Sequence, residues 1–163
     1  MIAGATEDGI CLLEFSERKS LSVEYENLKK IFDTTIKKGN NKHLRMVKKQ
    51  LKEYFKGKRK EFSLSLKFPG TEFQQAVWTQ LLTIPYGSTM TYGEQAEILK
   101  DEKSARAVAQ ANSNNRIAIV IPCHRIIGSD GQLVGYGGGL NRKKWLINHE
   151  RKYSGKTVEL DLF

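Results

Sequence analysis

A chain of 163 residues, 39% hydrophobic and 28% charged, has the composition of one ordinary globular domain or of two small ones sharing an interface. No apolar run approaches the ~20 residues that span a bilayer, and no basic leader precedes an apolar stretch, so no membrane association is expected and the cytoplasm is the expected compartment. The net charge of +9 suggests an anionic partner such as nucleic acid, but residues 1–68 carry 16 Lys/Arg against 9 Asp/Glu (+7) and residues 69–163 carry 11 against 9 (+2), so charge alone does not locate a site. The lysines Lys48, Lys49, Lys52 and Lys56 read as a solvated helix face.

The first fifteen residues read as a hairpin, with Thr6-Glu7-Asp8-Gly9 as the turn and Ile10 to Phe15 as an apolar strand holding Cys11 as a small buried hydrophobe. Leu21, Tyr25, Leu28, Phe32 and Ile36 recur at helical spacing, as do Leu44, Val47, Leu51 and Phe55 up to a stop at Gly57. Phe62, Leu64, Leu66 and Phe68 alternate with polar residues, the pattern of a half-buried strand. Pro69-Gly70 closes a small α/β unit, residues 1–68, in which no chemistry is evident.

From Thr71 the pattern changes. Thr71-x-x-Gln74 is a capping box for a helix with Phe73, Val77 and Leu81 inward, ended by Pro85-Tyr86-Gly87. Thr91-x-x-Glu94 opens a second helix, and Asp101 caps a third whose small face is Ala105, Val108, Ala109 and Asn112. Two short helices across a tight turn fit a helix-turn-helix, and equally two core helices of an α/β domain. Ile117 to Ile121 is a continuous apolar run, predicted as a buried strand that delivers Pro122-Cys123-His124-Arg125. A glycine-rich stretch, Gly135 to Gly139, precedes a last helix that starts near Asn141 and reaches His149-Glu150. The second unit spans 69–153, and 154–163 read as a polar tail.

Two distant cysteines without a C-x-x-C give no reason to expect a disulfide, and the three histidines, His43, His124 and His149, form no metal-ligand spacing. Neither metal nor cofactor is expected. Cys123, behind a rigid proline and beside a histidine, fits a nucleophile whose thiolate fraction is raised by a His124–Glu150 relay; taken alone it fits a buried structural cysteine as well.

Context narrows that choice. IPCHR, preceded by Ala105-Arg106-Ala107-Val108 and Asn115 and followed by GYGGG and His149-Glu150, resembles the O6-methylguanine-DNA methyltransferase family. The similarity is continuous over residues 71–150, including GTEFQQAVW, IPYG and TYGEQA, and residues 116–121 look closest to the bacterial adaptive-response type. The resemblance implies an α/β (α+β) fold: a small ribonuclease-H-like N-terminal unit and a winged-helix-like helix-turn-helix domain with the active-site cysteine. It implies a cofactor-free monomer that takes the alkyl group from O6-alkylguanine in double-stranded DNA, once and irreversibly. O4-alkylthymine stays open as a second substrate.

Carried over, the family's roles make Cys123 the alkyl acceptor, His124 a base acting through a bound water, and Glu150 the group that polarises it. Asn115 braces the turn between helix and active-site strand. Tyr92 crowds a phosphate and donates to the flipped base, and Arg106 fills the vacated stack from a helix in the minor groove. Ser104, Ala105, Ala107 and Ala109 allow close approach, with Arg125 a further DNA contact. The backbone at Ile126 and Gly137, with Tyr136, Gly138, Ala118 and Asn112, forms the pocket, and Lys143 lies near the active site. Three departures stand out: Arg116 and Ala118 where vertebrate members have prolines, Gly137 where some members have serine, and no opening strand before Ile2. Two other readings are a base-flipping relative that binds without repair, which would lack the acceptor cysteine, and a cysteine hydrolase on Cys123, His124 and Glu150.

Overall fold

A computed structural model describes residues 1–99 and 105–155. The chain opens with β1 (Ile2–Ala5) antiparallel to β2 (Ile10–Glu14), across the expected turn in which Thr6 N–H donates to the Gly9 carbonyl at 2.9 Å. Every residue of β2 is buried, because β2 is bordered on all sides. Ile10 pairs with the 65–67 segment (Ile10 N–H to Ser65 O and Lys67 N–H to Ile10 O, both 2.8 Å), and Leu13 pairs with 116–118 of the second unit, also at 2.8 Å. The alternation over 62–68 is present, half-buried against exposed, but pairing there is confined to the Leu66 bridge. The Gln50 side chain takes up both backbone groups of Ser63 instead (2.9 and 3.0 Å).

Helix α1 (Leu21–Ile31) lays Leu28 on Cys11 and Leu12. It stops short of Ile36, which is exposed: Asp33 turns left-handed (φ 44°) and Thr34 N–H closes on Lys29 O at 3.0 Å, a Schellman ending. Helix α2 (Lys42–Phe55) is capped by Asn41 and ends the same way at Gly57, as the sequence suggests. Its inward face is turned from the predicted stripe: Tyr54 is fully buried while Phe55 is 40% exposed.

In the second unit both capping boxes are present, at the starts of α3 (Glu72–Leu81) and α4 (Tyr92–Ile98). Helix α5 (Ala105–Ser113) packs on both. Trp78 Nε1–H donates to Ala111 O at 2.9 Å, and Asn112 reaches Gln95, which in turn donates to Val77 O. These buried polar bonds fix α5 in register on α3 and α4. Asp101 and Ser104 lie outside the described residues. A short parallel pair, β3 (Met90–Thr91) with β4 (Ile126–Ile127), and helix α6 (Leu140–Tyr153) complete the fold.

The apolar run 117–121 is buried throughout but is not the predicted strand. The Asn115 side chain replaces a strand partner: its Oδ1 accepts from Ile117 N–H (2.9 Å) and its Nδ2 donates to Ile121 O (2.8 Å). The chain therefore doubles back, with β-branched Ile119 held at φ 72°, a strained conformation that its buried side chain secures.

Candidate active site

This turn delivers Cys123, His124 and Arg125 as one turn of 3-10 helix, with Cys123 N–H on Ile121 O at 2.9 Å. Partly buried Cys123 lines a cavity of about 460 Å³ together with Tyr92, Ala109, Asn112, Tyr136 and Gly137 among the predicted residues, and with Arg18, Ser20, Glu24, Ser113, Asn114 and Gly135, which were not. Asn115 Nδ2 donates to Cys123 Sγ at 3.2 Å, so the residue that folds the turn also touches the Cys123 sulfur. Tyr92, the first residue of α4, sends its hydroxyl to Val134 O at 3.3 Å. Arg106 is exposed on α5, with Ala105, Ala107 and Ala109 partly covered beside it.

Behind the cysteine lies a sealed carboxylate. Glu150 Oε1 accepts from His124 Nε2 (2.8 Å), Tyr54 OH (2.8 Å) and Arg125 Nη2 (3.0 Å); Oε2 accepts from Arg125 Nε (2.8 Å) and Gly87 N–H (3.1 Å). Gly87 is at φ +74°, and a Cβ there would stand 2.6 Å from Ser154 Cβ, so only glycine lets this amide approach. Burial alone would raise the Glu150 carboxyl; the His124 and Arg125 bonds and charges override it and hold it down at about 2. An ionised carboxylate only accepts, so His124 carries its proton on Nε2, and Nδ1, buried and without a partner among the described residues, is left as the basic nitrogen.

Burial pushes the Cys123 thiol up, only partly opposed by the Asn115 bond, and pushes His124 down despite Glu150. Both shifts favour the neutral forms, thiol and imidazole, over the thiolate that the adjacency suggests. Buried Lys143 holds the Val134 and Gly135 carbonyls (2.6 and 3.0 Å), fixing the glycine-rich wall, and desolvation lowers its ammonium to about 8.

Four expectations need correction. Arg125 does not face DNA: it is buried, with Nη1 on Ile84 O (2.5 Å) and the rest of its fork on Glu150. Ala118 is buried in the Asn115 turn and does not line the cavity; the Ile126 side chain belongs to the core around β4, and the role expected there is its backbone's. Gly138 is buried behind the wall, where a Cβ would stand 2.6 Å from the Phe15 ring. The N-terminal unit does not stand apart from the site, since it sends Tyr54 to Glu150 and Arg18 to the cavity wall. Tyr54 could have been found from its place on the inner face of α2 three and four residues beyond Leu51 and Gln50, although nothing in the sequence pairs it with Glu150.

The model described as 6-O-methylguanine DNA methyltransferase, ribonuclease-like domain, matches residues 2–68, and the one described as 6-O-methylguanine DNA methyltransferase, DNA binding domain, matches residues 72–152. A methylated-DNA–protein-cysteine methyltransferase of Mycobacterium leprae is 59% identical over 102 residues, 63% of this chain and 62% of that protein. Its namesake from Mycobacterium tuberculosis H37Rv is 52% identical over 114 residues, 70% and 68% of the two chains. The crystal structure of M. tuberculosis OGT in complex with DNA is 39% identical, with a TM-score of 0.78 over 93% of this chain and 86% of that one. The O6-methylguanine-DNA methyltransferase of Pyrococcus kodakaraensis is 27% identical, with a TM-score of 0.69 over 89% and 88%. With family models matching nearly all of it, the chain belongs to the 6-O-methylguanine DNA methyltransferase family.

Proposed function

We propose that this chain repairs O6-alkylguanine in double-stranded DNA by transferring the alkyl group to Cys123, once per molecule, as a cytoplasmic monomer. The observation that carries the reading is the placement of Cys123: its sulfur faces a cavity large enough for a purine, while His124 and Glu150 are sealed behind it. A base inside a duplex cannot reach that sulfur, so the nucleotide must be extruded, at a cost of a few kcal/mol. Exposed Arg106 on α5, between partly covered Ala105 and Ala107, supports its role as the side chain that fills the gap.

In the transfer, the S–C bond forms as the O6–C bond breaks and its electron pair passes to the purine. His124 Nδ1 takes the thiol proton through one water, and the proton ends on the purine ring, giving guanine. Glu150 stabilises the imidazolium while it exists. Asn115 donates to the developing thiolate, and Tyr92 assists the base from the cavity rim. The product is a thioether, which has no hydrolytic way back, so the protein is consumed. Incubation with methylated duplex tests the reading: repaired guanine should appear in proportion to protein, and continued release of product beyond that would favour a cysteine hydrolase.

A further inference from the structure

Arg18, between β2 and α1, brings a cation from the N-terminal unit into the wall of the Cys123 cavity. It is held firmly. Nη1 pairs with Glu14 and donates to Asn115 O (3.3 Å), Nη2 donates to Ser113 O (2.9 Å), and the side chain is 12% exposed. The face of its guanidinium covers Gly137, where a Cβ would stand 3.0 Å from Cζ and 3.3 Å from Nε. Among the described residues Nε has no partner, and Nη2 gives only one of its two N–H groups to Ser113. Nε–H and the second N–H of Nη2 are thus the donors of the fork left for a ligand.

Arg18 lines the cavity into which the reacting oxygen must come. Attack requires the alkyl carbon within roughly 3–3.5 Å of sulfur, which puts O6 of the purine beside Cys123. Asn115 links the two groups, its side chain on Sγ (3.2 Å) and its carbonyl on Arg18. Guanine presents O6 and N7 side by side as acceptors, the pattern a guanidinium fork matches. We propose that Arg18 is a specificity-determining residue of the cavity, donating to the O6–N7 edge of the bound alkylguanine while Cys123 takes the alkyl group. A donor there also meets the negative charge that reaches O6 as the bond breaks. The inference rests on the repair reading above.

The test compares single-turnover transfer from free O6-methylguanine and from 7-deaza-O6-methylguanine, which lacks the N7 acceptor. The intact chain should lose about tenfold or more on the deaza base, the effect of one hydrogen bond to a charged donor. Arg18→Met should be slower on the normal base and should discriminate far less between the two, because the coupled term is gone. Should Arg18→Met fail to fold, Arg18→Lys, which keeps the charge without the fork, gives the same comparison. Equal rates of the intact chain on both bases, or undiminished discrimination in the variants, would overturn the assignment. Failure of the intact chain to methylate Cys123 from either base would instead defeat the repair reading itself.

Discussion

Tyr54 of α2 donates its hydroxyl to Glu150 Oε1, the same oxygen that accepts from His124 Nε2, and both bonds are 2.8 Å. The N-terminal unit thus reaches the His124–Glu150 pair behind Cys123. Tyr54 is itself fixed from α6, where His149 Nε2 meets its backbone carbonyl at 2.8 Å. With Arg125 Nη2, three donors share the negative charge of that oxygen, so Tyr54 restrains how strongly Glu150 can support a protonated His124.

Tyr54→Phe tests this. The substitution leaves no buried donor unpaired, and should cost about 1 kcal/mol of stability for the lost bond. With one donor fewer on Oε1, the imidazolium is better stabilised and the His124 pKa rises. The acid limb of the transfer rate, measured against pH with free O6-methylguanine, should move upward. An acid limb that stays in place would make Tyr54 a packing residue only.

Glu150→Gln should do more than slow transfer. The carboxylate is the counter-charge of buried Arg125, and breaking such a pair costs about 3–5 kcal/mol. Because the folded carboxyl is held down at about 2, its contribution to stability is complete above the unfolded value near 4.5 and is lost as pH falls toward 2. Denaturant melts should show the intact chain weakening through that acid window and the Gln variant already weaker at neutral pH, with a flatter acid dependence. Equal neutral-pH stability would contradict the role assigned to the Glu150–Arg125 pair.

With the thiol pushed above its ordinary value and His124 below its own, the neutral pair persists across the neutral range. The single-turnover rate should therefore be flat near pH 7 to 8. It should fall only at a pH below the ordinary imidazole range, and rise only above the ordinary thiol range, as thiolate forms directly. A steep titration between pH 7 and 8 would point to a resting thiolate instead.

Arg106→Ala should separate extrusion from chemistry. Exposed on α5 and without a place in the Cys123 cavity wall, Arg106 has no part in a reaction with the free base. If it fills the vacated stack, worth roughly 1–3 kcal/mol, repair of duplex should slow by about ten- to a hundredfold while the free-base rate holds. Equal losses on both substrates would place Arg106 in the active site.

Local signals in the sequence proved dependable where the physics is local. The two capping boxes, the Thr6–Gly9 turn and the Gly57 stop each depend on a few adjacent residues, and each is present. The run 117–121 reads as a strand because hydrophobicity reports burial, which is correct, and says nothing of the Asn115 side chain that bends the backbone away from pairing. The motif likewise points to Cys123, His124 and Glu150 by adjacency and resemblance. It does not reveal that Arg125 turns inward, nor that Tyr54 and Arg18, 96 and 97 residues from their partners Glu150 and Asn115, complete the surroundings. Contacts between distant segments leave no periodicity to read.

The central claim, that Cys123 alone receives the alkyl group and keeps it, is tested most directly by mass spectrometry of the intact chain after exposure to excess methylated duplex, with and without a chelator. Cys11 offers an internal control, since its thiol is buried in the β2 layer and burial pushes it up as well. One added methyl group per chain is expected, mapped to Cys123, with no further repair afterwards and no effect of the chelator. A methyl group on Cys11, or repaired guanine in excess of protein, would contradict it.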